Sequence, residues 1–403
     1  MEPVYLQMTT SNNNNKFYNM TDNGDGTFTV VYGRIGTDGT TVKYPISLWH
    51  KKYSEKVNKG YQDVSHLHKK SNSDTYKPVS DKEIQALIDD LMAKSRQYTS
   101  QYYDSNIQIT PAMLDKAQEH LNELAKCIDR QYNNDHDALN EYNRWLIKLY
   151  TVLPRKMKNV RDELIKELDQ RIPKMNNEQS LVDNLRTQAT VKNAQHDTDI
   201  LSALHISVSP CTDEDLEIIK KAMSDLDSRY KLKRAWRCNN QTRDAEFDDY
   251  LDVHQLKNNS RNVKYYWHGT RTENVFSIMA NGLQLNPTNA HITGKMFGQG
   301  IYSAPKATKS MGYTSLSGSY WAGGHDNVGY MFLNAVITGN RLDTDNQYAN
   351  GIYLATMTGD KFNSNFAGYH SVHAHAGRSL RNDEVIVYNQ SQVASRYLCE
   401  FTR

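Results

Sequence analysis

The chain has 403 residues, with 48 Lys and Arg against 46 Asp and Glu and a net charge of +2. That length predicts two to four domains, and the charge balance excludes a globally basic nucleic-acid binder, so any such surface has to be local. Cys127, Cys211, Cys238 and Cys399 lie far apart, which excludes a disulfide framework and a cysteine zinc site and points to a reducing, intracellular compartment. The N-terminus carries no apolar signal core, and no run approaches the ~18 apolar residues that span a bilayer, so a soluble protein with no membrane partner is expected.

Residues 1–78 read as β-rich. Phe17–Met20 and Thr27–Tyr32 flank the turn Asn23-Gly24-Asp25-Gly26, the pattern of a hairpin. A second turn at Thr37-Asp38-Gly39 leads into Thr40–Tyr44, and Ser47-Leu48-Trp49 opens a short helix. The Asn-rich run at 12–15 reads as a loop. Between Lys43 and Lys70 stand seven Lys and two acids, a local +5; taken alone, such a stretch is a solvated helix face.

Residues 79–203 change to helical periodicity. Ser80-Asp81-Lys82-Glu83 has the form of a capping box, with Ser80 as the cap. Ile84, Leu87, Ile88, Leu91 and Met92 follow on one helical stripe. Thr110-Pro111 starts a second helix bearing Leu114, Ala117, Leu121, Leu124 and Ile128. A third carries Leu139, Tyr142, Leu146, Leu149 and Leu153 and stops at Pro154. Further helical pattern covers 160–168 and 179–192. Amphipathic helices with short connections predict an all-α bundle.

Residues 204–403 read as α+β and strand-rich. Thr212 caps a helix, and short apolar strands are expected near 206–208, 263–267, 300–304, 330–336, 352–355 and 384–388. Three fragments stand out: Trp267-His268-Gly269-Thr270-Arg271, then Gly300-Ile301-Tyr302 followed by Lys309-Ser310 and Tyr313, then Asn382-Asp383-Glu384-Val385-Ile386-Val387. Singly each is ordinary. A His before Gly is usually structural, Tyr is abundant with 26 copies, and a Glu before a strand is usually a solvated charge.

Together and in order, the fragments resemble the His-Tyr-Glu signature of the poly(ADP-ribose) polymerases. The resemblance implies an ADP-ribosyltransferase fold with NAD as substrate and no metal. His268, Gly269, Thr270, Arg271, Tyr302, Lys309, Ser310 and Tyr313 would bind NAD. His268 would hold the adenosine ribose, Gly269 and Ser310 the carboxamide, and Tyr302 and Tyr313 the nicotinamide ring. Glu384, with His268 and Tyr302, would be catalytic and would favour polymer over single transfer. The chemistry agrees: the leaving group is cationic and the transition state oxocarbenium-like, so aromatic faces and a nearby carboxylate suit it. Thr270 stands where Ser is common and Lys295 where an aromatic is common.

Tyr32-Gly33-Arg34 resembles the naming motif of the WGR domain of DNA-dependent members, with Tyr in place of Trp. The resemblance implies three domains: a small α+β WGR-like domain at 1–78, a helical regulatory bundle at 79–203 and the transferase at 204–403. Tyr32, Arg34, Lys51 and Lys52 would contact DNA strand breaks. Acceptors would be proteins, including the chain itself, and the location nuclear in a eukaryote or cytoplasmic in a bacterium. A mono-ADP-ribosyltransferase without DNA dependence and a non-enzymatic DNA-end scaffold are the alternatives.

Overall fold

The hairpin read around Asn23–Gly26 is one joint of a five-stranded antiparallel sheet. The computed structural model describes residues 1–68, 76–103, 109–130, 132–193, 198–285, 296–319, 323–377 and 380–403. The chain divides into two units, Met1–Ser73 with Gln97–Asn193, and Asp74–Arg96 with Ala194–Arg403.

In the first unit, β1 (Val4–Thr10), β2 (Asn14–Asp22), β3 (Thr27–Arg34), β4 (Thr40–Pro45) and β5 (Gln62–Asp63) pair in the order β4-β3-β2-β1-β5. Strand alternation turns Leu6, Tyr18, Met20, Phe28 and Val30 to one face, where Trp49 of α1 (Trp49–Val57) closes the core. The Asn-rich run is not wholly loop. Asn13 takes the left-handed turn conformation at φ 64, which Asn tolerates, while Asn14 and Asn15 begin β2.

Helix α2 (Lys82–Ser100) contributes its first part to the second unit and its last residues to the first. Its cap is Asp81 rather than Ser80: Asp81 Oδ1 accepts from Glu83 N at 2.8 Å and Ile84 N at 3.1 Å. Both residues are competent caps, and the chain enters the helix one residue later than the motif suggested. Helices α3 (Pro111–Asp129), capped by Thr110, and α4 (Asp135–Val152), capped by Asn134, follow as read. The pattern at 160–168 yields only the single turn α5 (Val160–Glu163), whereas α6 (Arg171–Asn193) begins earlier than position 179. Pro173 sits in its first turn, where a missing N–H is harmless.

The bundle closes over a buried charge pair. Arg155 is 0% and Glu178 1% exposed, and their side chains bond directly. Tyr150 donates to Glu178 at 3.1 Å, and Lys174 lies 3.4 Å away. Burial pushes the Glu178 carboxyl up, but Arg155 and Lys174 outweigh it and hold it below its ordinary value.

In the second unit, α7 (Ile200–Ala203), β6 (Ile206–Pro210), α8 (Asp213–Ala222), β7 (Lys231–Asn240), α9 (Gln241–Val253), β8 (Val263–Thr270), α10 (Thr272–Asn281), β9 (Ile301–Ser303), α11 (Ala307–Met311), β10 (Val328–Ile337), β11 (Arg341–Thr344), β12 (Tyr348–Ala349), β13 (Ile352–Tyr353), α12 (Gly359–Asn365), β14 (Ser371–Ala374), β15 (Glu384–Val387) and β16 (Val393–Thr402) follow in order. They form a five-stranded sheet β6-β7-β16-β10-β8, a four-stranded sheet β11-β14-β15-β9 and the ribbon β12-β13. The expected mixed, strand-rich architecture is present; β7, β11, β12, β14 and β16 were not read from the sequence. No described helix is long and apolar enough to cross a membrane.

Removing one partner of a buried ion pair leaves an uncompensated charge. Arg155→Ala is expected to cost about 3–5 kcal/mol, seen as a lower urea midpoint. Because the Glu178 pKa is depressed on folding, the stability it contributes is present above its unfolded value and lost as pH falls through the folded one. The wild-type midpoint should therefore drop on acidification more steeply than that of Glu178→Gln.

Candidate active site

The two sheets of the second unit meet where β8 passes the end of β9. Trp267 N donates to Ala304 O, and Ala304 N donates to Trp267 O, both at 2.9 Å. The carbonyl of Trp267 also accepts from Ser310 Oγ at 3.1 Å. The next residue, Gly269, is forced by this approach: a Cβ there would stand 1.8 Å from the Ser310 carbonyl oxygen. Glycine alone lets the two backbones come this close.

His268 Nδ1 lies 3.2 Å from the Tyr302 carbonyl. A carbonyl only accepts, so Nδ1 carries the proton and Nε2 is left as an acceptor. Burial holds the His268 pKa below its ordinary value, partly offset by the bond to Tyr302. The ring is neutral at pH 7.

Tyr302 is fixed by its hydroxyl, which donates to Gly298 O at 2.8 Å and accepts from Phe297 N at 3.2 Å. Gly298 turns there at φ +77, the left-handed region that glycine enters freely. Burial pushes the Tyr302 phenol far up, so it stays neutral and presents an uncharged ring.

Ser310 and Lys309 ride on α11. Asp225, distant in sequence, holds that turn by accepting from Ala307 N at 2.9 Å and Thr308 N at 3.1 Å. Tyr313 N donates to Ser310 O at 3.0 Å, which draws Tyr313 to the same corner.

Glu384 opens β15. Tyr302 pairs with Ile386 across β9 and β15, and Glu384, two residues from Ile386, lies on the same face. Lys309 Nζ is 2.6 Å from Glu384 Oε1 and donates to Asn382 O at 3.1 Å. Burial lowers the Lys309 pKa, and Glu384 opposes it.

His268, Gly269, Tyr302, Lys309, Ser310, Tyr313 and Glu384 are thus linked in one place through these contacts. Thr270 is buried beside them. Arg271 precedes α10, and among the described residues its buried Nε meets no acceptor. Lys295 falls outside the described residues. Asp225, Asn382 and Ala304 were missed in the sequence, because each acts through a partner remote along the chain.

In the first unit the four residues expected at DNA separate. Tyr32 is 37% exposed, and Lys56 Nζ lies 5.6 Å from its ring and 4.4 Å from that of Tyr18. Lys51 is exposed, and Lys52 lies over the Tyr44 ring at 4.8 Å. Arg34 is committed within the protein, donating to Met157 O at 3.0 Å, Lys158 O at 2.8 Å and Asn13 Oδ1 at 2.8 Å. Its fork ties β3 to the turn before α5.

The family model for the poly(ADP-ribose) polymerase catalytic domain matches residues 214–403, and that for the WGR domain matches residues 2–67. Over 210 residues the chain is 33% identical to the uncharacterized protein 101L of Invertebrate iridescent virus 6, covering 52% of this chain and 86% of that protein. It is 31% identical to the putative poly [ADP-ribose] polymerase-like 100L of the same virus, over 36% of this chain and 74% of the relative. To poly [ADP-ribose] polymerase 2 of Homo sapiens it is 32% identical, over 33% of this chain and 25% of the relative.

Two outcomes follow from this geometry. Gly269→Ala should abolish NAD binding, because the added Cβ overlaps a backbone oxygen that cannot move without breaking the Ser310 contact; calorimetric titration with NAD measures it. Since the folded His268 pKa lies below 6.5, its acceptor nitrogen persists down through that pH. The KM for NAD should stay flat from pH 8 to 6.5 and rise only under more acidic conditions.

Proposed function

The chain belongs to the poly(ADP-ribose) polymerase family, and from that premise we propose a DNA-break-activated enzyme that builds ADP-ribose chains on proteins, itself included. It is an NAD+ ADP-ribosyltransferase. The observation that carries the finer reading is Glu384, held by Lys309 at 2.6 Å on the face it shares with Tyr302.

In the proposed reaction the nicotinamide ring stacks on Tyr302, with Tyr313 on its other side. Its carboxamide takes the Gly269 backbone and the Ser310 hydroxyl, and His268 Nε2 accepts from a ribose hydroxyl. The glycosidic C–N bond breaks, and its electron pair leaves with nicotinamide, neutralising the pyridinium. The developing positive charge on the ribose is stabilised by the Glu384 carboxylate. The acceptor oxygen bonds to the anomeric carbon as its proton passes to Glu384. When the acceptor is a ribose hydroxyl of an earlier unit, the same step lengthens a chain.

For the switch, we take the exposed Tyr32 with Lys51 and Lys52 as the DNA-facing surface, a ring for a base or sugar and ammonium groups for phosphates. Arg34 acts behind them, coupling the sheet to the segment before α5. Helix α2 belongs in part to the transferase unit, where Lys94 lies 3.9 Å from Asp326. Asp326 in turn is 3.4 Å from the Thr272 hydroxyl, next to Arg271. In this reading a shift of the first part of α2 reaches the NAD site through these contacts, which lie within the transferase unit.

Incubation with labelled NAD, with and without nicked duplex, tests both parts. Ladders or smears that strengthen at least tenfold with nicked DNA are expected. Discrete bands would remove polymerisation, and equal turnover without DNA would remove the switch. Glu384→Gln should lower elongation by about a hundredfold or more while NAD affinity stays within a few-fold.

A further inference from the structure

Beyond the NAD site, the second unit carries a cluster that the transferase chemistry does not use. β11 and β14 run parallel with Asp343 opposite His373, and His375 follows two residues on. An H-x-H pair along an extended segment puts both rings on one side, and here they stack with centroids 4.3 Å apart. One ligand atom from each of Asp343, His373 and His375 lies within 4.8 Å of the other two.

The hydrogen bonds orient both rings. Asp383 Oδ2 is 3.1 Å from His373 Nε2 and 3.4 Å from His375 Nδ1. A carboxylate oxygen only accepts, so His373 Nε2 carries the proton that faces Asp383. His373 Nδ1 is then left with its lone pair, 3.9 Å from Asp343 Oδ1, whereas His375 Nε2 donates to Asp343 Oδ1 at 2.7 Å, a proton that an ion bound there would displace. Ligands of a tetrahedral zinc ion stand roughly 3.3 Å apart, between these two values. A histidine that binds a metal with one nitrogen usually donates its other N–H to a carboxylate, the part Asp383 plays for His373 and, once an ion takes His375 Nε2, for His375 Nδ1 at 3.4 Å.

A cation already stands in this position. Arg341 Nη1 lies 3.0 Å from His373 Nδ1, and Arg341 is exposed, so it can swing aside. Asp343 and His375 are 50% and 44% exposed, leaving an entry path from solvent.

We propose that Asp343, His373 and His375 form a two-histidine, one-carboxylate site for a divalent transition ion such as Zn2+, with Asp383 as the shared orienting carboxylate and Arg341 as the group the ion displaces. The bound ion clips β11 to β14 and steadies Asp383. That residue is the direct neighbour of Glu384 and of Asn382, whose carbonyl holds Lys309. The sequence suggested no metal because the ligands are scattered from 343 to 375 and lack a compact motif.

The test uses the full chain, stripped with chelator and titrated with Zn2+ against a chromogenic competitor, and with Co2+ followed by its visible absorption. One ion per chain is expected. Asp343→Ala and His375→Ala should each weaken binding at least thirtyfold, while Arg341→Ala tightens it several-fold. Zn2+ should raise the thermal midpoint of the wild type and leave that of His375→Ala unchanged. Failure to take up a stoichiometric ion overturns the site. So does an affinity unchanged in all three variants, or a near-ultraviolet thiolate band showing that the cysteines hold the cobalt. NAD turnover plays no part in these readings, so they stand apart from the proposed enzyme activity.

Discussion

The candidate site depends on one pair of backbone hydrogen bonds, those between Trp267 and Ala304. They join two sheets that, among the described residues, otherwise share no ladder, and the site hangs from either side of the join. His268 and Gly269 follow Trp267 directly, Tyr302 lies two residues before Ala304, and Ser310 bonds to the Trp267 carbonyl. Trp267 is anchored in turn by its ring, 1% exposed, whose Nε1 donates to Ala222 O at 2.8 Å. Burying such an indole is worth on the order of 3–5 kcal/mol, enough to hold the join against the entropy of the loops it fixes. The glycine after it is the geometric consequence, since nothing larger fits between β8 and α11.

Around that frame the charges are kept to a minimum. His268 and Tyr302 are both neutral, each because burial disfavours its charged form. Lys309 and Glu384 face one another at 2.6 Å. Lys309 is pulled toward its neutral form by burial and toward its charged form by Glu384, so its charge depends on the carboxylate beside it. In the proposed reaction a cationic nicotinamide entering this site meets aromatic faces and the Glu384 carboxylate. The arrangement favours positive charge at the sugar over positive charge elsewhere, which a glycosidic cleavage requires.

Much of this was legible from local pattern. The caps at Thr110 and Thr212, the Asn23–Gly26 turn and the fragments bearing His268, Tyr302 and Glu384 rest on neighbours within a few residues, which a sequence displays directly. What was not legible acts at a distance. Asp225 caps α11 from 82 positions away, and Arg34 finds its carbonyl acceptor 123 positions on, so an arginine read as a phosphate grip is bound within its own unit. β11 and β14 were missed because they are four residues long and carry charged or polar side chains at Arg341, Asp343, Ser371 and His373. Their strand character comes from pairing rather than propensity. The choice of Asp81 over Ser80 is subtler: both can cap, and only the path of the chain decides.

The position of Glu384 shows how the two kinds of information meet. Its strand is four residues long, and the carboxylate stands at its first position, opposite Ala374. Pairing alone fixes a strand end poorly, because the ladder stops there. Two flanking networks make up the difference. On one side Lys309 ties Glu384 and the Asn382 carbonyl together. On the other, Asp383 is held by the Ala376 amide at 2.8 Å and by His373. Because successive residues of an extended chain point to opposite faces, Asp383 and Glu384 can each be gripped from its own side without competing. The Glu384 carboxylate is therefore set by its neighbours in sequence as much as by the corner it faces, and a change confined to the His373 side reaches it through a single peptide unit.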